Sequence, residues 1–436
     1  MNRRDFASVL LSFGLAGCDL FNEKKQPLGG ERIPVLGLGS RFEPDAGLAE
    51  AAINLPPPVV NPNWPEPGGN PAHAMGHPAL PDKVNRAWQT SIGDGSGRYR
   101  RVLSQPVVEQ GRVYAMDGGV QVSALDAASG SRIWQIDLKP EELRGNAFGG
   151  GPSFWNDRVY VTTGYAQVLA LDPAEGKVIW RTNVNSPLHS PPTVANGRVF
   201  AVTVENELNA LDANDGRKLW SHSGIPETAG LLGGASPAVE GEVVLAAYSS
   251  GELFALRVEN GRAVWSDNLA STRGVNAVAG LADIRGRPVV DRGRVFAISH
   301  SGRMTAIDLR RGDRIWEREI GSSHSPWVVG DYVFVLANDN ELLCMTREAG
   351  KIRWVRQLRR YEDEKAKSDP ILWAGPVLAG NRLIVLSSLG EAVSVSPYTG
   401  EVIGSQAMSS GGFLGPVVAD NTLYLLTDDA NLSAYR

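Results

Sequence analysis

The sequence predicts an all-β ring, an eight-bladed β-propeller of four-stranded antiparallel blades, and three observations predict it. One pattern of residues recurs eight times between Val84 and Arg436. Each copy reads as short β-branched or alternating runs separated by glycine-containing turns, with no apolar stripe at helical period. The eighth copy stops before its final strand, and the stretch ahead of the first copy supplies a strand of that kind.

The first residues form a targeting segment that stays out of the fold. Arg3 and Arg4 precede an apolar run from Phe6 to Leu15, too short to span a bilayer as a mature helix. Leu15-Ala16-Gly17-Cys18 resembles a bacterial lipobox, which makes residues 1–18 a lipoprotein signal peptide and Cys18 the lipidated residue. Arg3-Arg4-Asp5-Phe6 is similar to a twin-arginine export signal, so Sec and twin-arginine export both stay open. Asp19 resembles an inner-membrane retention signal, which leaves the choice of membrane open, with the outer membrane favoured.

Residues 19–83 read as a tether. Twelve of the 27 prolines fall between Pro27 and Pro81, and a chain of that composition favours extended conformations and buries too little apolar surface to fold alone. The stretch near Trp64 is the part able to pack on the body that follows.

From 84 to 436 the repeat sets the architecture. Counted from the strand ends Asp126, Asp172, Asp212, Arg257, Asp308, Thr346, Ser396 and Arg436, a proline stands twenty residues earlier in all eight copies, from Pro106 to Pro416. A glycine stands four residues later in each copy that continues, from Gly130 to Gly400. Tryptophan follows at eight residues in six copies: Trp134, Trp180, Trp220, Trp265, Trp316 and Trp354; the seventh has Gly404. The glycine turn leads into the last strand of a blade, where a residue without Cβ takes positive φ freely.

Trp88 precedes the first copy and belongs to the strand that completes the last blade, so the two ends of the propeller fasten each other. The tryptophans then serve as flat fillers of the wedge-shaped gaps between blades. Cys344 takes the place that alanine holds in most sister copies and reads as a buried structural thiol. With Cys18 lipidated, no intramolecular disulfide forms.

Length varies only between the Trp position and the next proline: 18, 18, 12, 17, 23, 10, 22 and 12 residues, against a constant 28 from proline to Trp. Variable connections of one kind gather on one face of the ring, and that face is the expected binding surface. A formal charge of −5 gives no reason to expect nucleic-acid binding. His73 and His77 have the spacing of paired imidazoles on a helix, but surrounding Pro and Gly argue against a helix and no acidic cluster accompanies them, so no metal is expected.

The Asp-x-x-x-Gly-x-x-x-Trp units resemble the quinoprotein-type propeller repeat. Together with the lipobox, the tether and Thr272 to Ala297, the chain is similar to the BamB family of outer-membrane assembly lipoproteins. The resemblance implies a non-enzymatic scaffold without cofactor, a monomeric propeller within a hetero-complex, anchored by lipid, facing the periplasm, and bound to the POTRA domains of BamA and other BAM subunits. It places the contact on Gly230–Pro237 and Leu281–Pro288, with Leu231 and Asp283 kept and with Leu232 and Arg285 where the family pattern expects an arginine and a second acid. Two alternatives stand beside it. A general periplasmic propeller for peptides or cell-wall material would differ only in partner, and a quinone-dependent dehydrogenase would need a catalytic carboxylate and a bound divalent ion and usually carries a vicinal disulfide, for which adjacent cysteines are absent here.

Overall fold

A computed structural model describes residues 42–48, 52–143, 145–271 and 281–436. The signal peptide and Cys18 lie outside the described residues. Eight four-stranded antiparallel sheets form the ring of an eight-bladed β-propeller, as the repeat predicts. A two-stranded hairpin, Tyr361–Asp363 with Ser368–Pro370, rises from the connection between blades 6 and 7.

Blade 1 shows how the repeated residues build a blade. Its strands are Val107–Glu109, Arg112–Met116, Gln121–Asp126 and Arg132–Asp137, running outward from the central axis. Asp126 ends the third strand, and its side-chain Oδ1 accepts the Ser129 N–H at 2.7 Å while its carbonyl accepts the Gly130 N–H at 2.8 Å. That closed turn launches the outer strand, in which Trp134 pairs with Ala124. Small residues recur opposite the indole because the ring needs the space; Cys344 pairs in this way with Trp354 and is fully buried.

Each tryptophan clasps the next blade. Trp88, Trp134, Trp180, Trp220, Trp265, Trp316 and Trp354 donate their indole N–H to carbonyls of Ala127, Pro173, Ala213, Val258, Leu309, Arg347 and Pro397, over 2.7–3.1 Å. Every acceptor lies in the neighbouring blade's last turn. The turn glycine lies flat on the same ring: a Cβ at Gly130 would stand 2.5 Å from the Trp88 ring, and φ there is +72°. One spacing in the sequence therefore records two halves of a contact between different blades.

Blade 8 is made from both ends of the chain. Arg86–Ser91 pairs with Asn431–Tyr435, placing Trp88 opposite Ala434, and Asn85 and Arg436 exchange backbone hydrogen bonds at 2.7 and 3.0 Å. Gly404 follows from this arrangement. It faces a blade whose last turn is replaced by the two chain ends, so the glycine turn that a tryptophan would clasp is missing there. Apolar layers fill the gaps between blades around the ring, the largest running from blade 6 through blades 7 and 8 to blade 1.

A departure lies in the segment read as a tether. Of residues 19–83, the part from Asn61 to Pro78 makes one circuit inside the ring. Acceptors of this segment take hydrogen bonds from the eight blades in order: Asn61 O from Asp420 N–H, Trp64 O from Val108, Pro65 O from Phe154, Pro71 O from Val239, Ala72 O from Val290 and Pro78 O from Gly380, over 2.7–3.0 Å. Glu66 Oε1 serves blade 3 through Val194 N–H at 2.7 Å, and Gly76 O serves blade 6 through the Trp327 indole at 2.9 Å. Trp64 is fully buried, 6.3 Å from the stacked ring of Trp327.

The physical reason is complementary. The innermost strand of each blade has an open edge whose N–H groups point at the channel, and buried donors need partners. A proline-rich segment has few N–H groups to satisfy and a carbonyl at every residue. It cannot fold alone, yet it suits this channel as a plug.

Candidate protein-binding face

The connections of variable length, together with the turns between second and third strands, form one face of the ring. Two of them carry the expected partner-binding residues, and the structure brings all four together. Asp283 Oδ1 accepts the Leu231 N–H at 3.1 Å, and Arg285 Nε donates to Leu232 O at 2.8 Å while its Nη1 donates to Ser323 O at 3.1 Å. The charged pair thus holds the backbone of Leu231-Leu232 against the next connection.

Asp283 is 5% exposed, so its side chain faces the protein. Burial pushes its carboxyl up to about 6, an effect that the Leu231 N–H partly offsets. Desolvation likewise lowers the Arg285 guanidinium, with Asp283 opposing the shift. The two residues are positioning groups for the loop. What they leave at the surface is apolar: Leu231 is half-buried and Leu232 exposed.

Ile225 is a residue that the sequence reading missed. It is 56% exposed, yet its N–H donates to Glu252 Oε2 at 2.7 Å and its carbonyl accepts from Asn206 Nδ2 at 2.6 Å. An apolar side chain on a backbone fixed from both sides is displayed rather than merely left out. Leu143, Val204, Leu372 and Leu389 are further exposed apolar residues of the same face. Each lies in a turn or connection, and apolar side chains in otherwise polar turns are the signal that could have found them. A cleft of about 340 Å³ opens between the two partner loops, bordered by Val204, Asn206, Leu231 and Asp283.

His73 and His77 are separated by their tasks. His73 Nδ1 bonds Pro288 O at 2.8 Å in blade 5, whereas His77 Nδ1 bonds Pro56 O at 2.7 Å and its Nε2 accepts the Asn381 N–H at 3.0 Å in blade 7. Both are pegs of the plug. Among the described residues no group of three metal-ligating side chains exists.

Fold and face together define a class: a quinoprotein-type eight-bladed propeller whose channel is filled by its own chain. Among solved structures the chain is similar to BamB from Moraxella catarrhalis, with a TM-score of 0.69 at 20% identity over 81% of this chain and 100% of that one. It is also similar to a quinohemoprotein alcohol dehydrogenase from Comamonas testosteroni, with a TM-score of 0.66 at 15% identity over 86% of this chain and 81% of that one. Both likenesses concern the fold.

Sequence relatives narrow the class. The outer membrane protein assembly factor BamB family profile matches residues 118–356. The outer membrane protein assembly factor BamB of Salmonella typhimurium is 31% identical over 80% of this chain and 87% of its own length. That of Alkalilimnicola ehrlichii is 36% identical, again over 80% of this chain and 87% of its own length. The chain belongs to the BamB family.

Proposed function

We propose that this protein is a non-enzymatic scaffold lipoprotein of the BAM complex, anchored through Cys18, facing the periplasm, and assisting insertion of outer-membrane β-barrels by binding the POTRA domains of BamA. Family membership supports the assembly role, since the relatives carry the name of outer membrane protein assembly factors. The observation that carries the contact is the stapled Leu231-Leu232 loop: Asp283 and Arg285 fix its backbone, and Leu232 is exposed on the same face as the equally fixed Ile225. Rigid apolar side chains ringed by polar groups suit a protein interface, because little entropy is lost on binding. In place of the expected arginine, Leu232 makes the contact more apolar than the family pattern.

The dehydrogenase alternative gains nothing from the channel, which peptide from Asn61 to Pro78 occupies. Pull-down of the full chain from solubilised envelopes tests the proposal. Wild type is expected to recover BamA, and Ile225→Asp combined with Leu232→Asp to lower recovery at least tenfold while the folded ring persists by circular dichroism. Undiminished recovery by the double variant would remove this loop from the interface.

A further inference from the structure

Above the plug, on the face of the variable connections, the channel keeps a cavity of about 100 Å³. Its floor is the plug itself, at Trp64, Gly68 and His73, and its walls are the ends of the connections that lead into the inner strands. Two arginines line it, Arg285 and Arg287, and among the described residues no carboxylate does. Arg285 has Asp283 as a counter-charge within electrostatic reach. Arg287 has none: its Nη2 donates to the neutral Gln105 Oε1 at 3.1 Å, and its Nε is shielded from solvent with no partner.

A second orphan belongs to a residue that lines the same cavity. His73 is 6% exposed, its Nδ1–H donates to Pro288 O, and its Nε2 is a shielded acceptor without a donor. Gly68 packs tightly against both side chains: a Cβ placed on it would stand 2.8 Å from His73 Cδ2 and 3.0 Å from Arg287 Nε, so only glycine fits there. Desolvation and the neighbouring Arg285 lower the Arg287 guanidinium to about 10, and desolvation followed by Arg287 lowers the His73 imidazole to about 3, so His73 is neutral and can only accept at Nε2.

An unpaired, desolvated cation beside another cation is costly, and the natural remedy is an anion. Guanidinium forks match oxyanions in plane and spacing. We propose that this mouth binds a small oxyanion, a carboxylate or a hydrogenphosphate, with Arg285 and Arg287 holding the charge. The size agrees: about 100 Å³ is the share of a few waters or of one such group. This site shares Arg285 with the proposed partner loop, but anion binding is read by calorimetry on the isolated chain and so stands or falls apart from recovery of BamA.

The test uses the full chain in detergent, in Tris chloride at constant ionic strength, titrated calorimetrically with glycolate, acetate and inorganic phosphate. Saturable binding is expected, and a preference for acetate and glycolate or for phosphate would assign the ligand to the carboxylate or the phosphate class. Arg285→Gln and Arg287→Gln are each expected to weaken binding at least tenfold. Should either variant fail to fold, phenylglyoxal labelling of wild type followed by mass spectrometry serves instead, with Arg287 protected by the ligand but not by chloride. Heat of binding no greater than that of matched chloride, or Arg287 labelled equally with and without ligand, would overturn the site.

Discussion

At the scale of single residues, the most consequential buried titratable group is Glu66. Burial raises its carboxyl to about 8, opposed only in part by the Val194 N–H that its Oε1 accepts, and its Oε2 is shielded and without a partner. The folded protein therefore holds Glu66 protonated where the unfolded chain ionises it. A carboxyl whose pKa rises on folding binds more protons when folded, so stability falls as pH rises from about 4.5 to about 8 and the loss is complete above that window. His73 and His324, both lowered by burial to about 3, act in the opposite sense and weaken the fold as pH falls below 6.5. Comparison with Glu66→Gln isolates the carboxyl, since glutamine keeps the acceptor and never ionises. Glu66→Gln is expected to be more stable than wild type at pH 9 by an amount on the order of 3–5 kcal/mol, and nearly equal at pH 4, by urea denaturation. Equal stability at both values would mean that Glu66 is not desolvated in the folded protein.

At the scale of elements, the plug is the part whose behaviour differs most from a reading by composition. Its hydrogen bonds reach the inner strands of separate blades, so its release would expose them together. Amides of Val108, Phe154, Val239 and Val290, which donate to Trp64, Pro65, Pro71 and Ala72, are expected to exchange with solvent in concert. Trp64→Ala removes the stacked partner of Trp327 and the largest buried side chain of the plug. It is expected to speed exchange at all four amides at least tenfold while amides paired between second and third strands stay slow. Unchanged protection at these four positions in Trp64→Ala would show that the plug is not what covers the inner edges. The prolines were legible and their consequence was not: extended backbone with free carbonyls looks the same in sequence whether it stands in water or lies along eight strand edges.

At the scale of the molecule, stability depends on closure. Seven interfaces are clasped by tryptophan on glycine, and the ring is joined where Arg86–Ser91 meets Asn431–Tyr435. The interface between blades 7 and 8 lacks the clasp, with Gly404 in place of tryptophan and nothing within 4 Å of a Cβ built there. Removing residues 434–436 deletes the partners of Arg86 and Trp88 and the backbone exchange between Asn85 and Arg436. That truncation is expected to lower the thermal midpoint by about 10 °C or more, because it removes a closing contact that buries an indole as well as two backbone hydrogen bonds. A midpoint within a degree of wild type would argue that closure adds little.

The sequence by itself determined the number of blades, the strand exchanged between the ends, the packing role of Trp134 and its sisters and the face on which variable connections gather. Those features are periodic, and a fixed spacing between a turn glycine and a tryptophan survives as a one-dimensional record of the contact each makes with its neighbour. Tertiary structure alone decided that Asp283 and Arg285 point inward to hold Leu231 and Leu232, that Ile225 is displayed, that residues from Asn61 to Pro78 fill the channel, and that His73 and Arg287 meet over Gly68. These depend on which groups from distant parts of the chain share one small volume and exclude water from it, and burial of that kind leaves no period in the sequence to read.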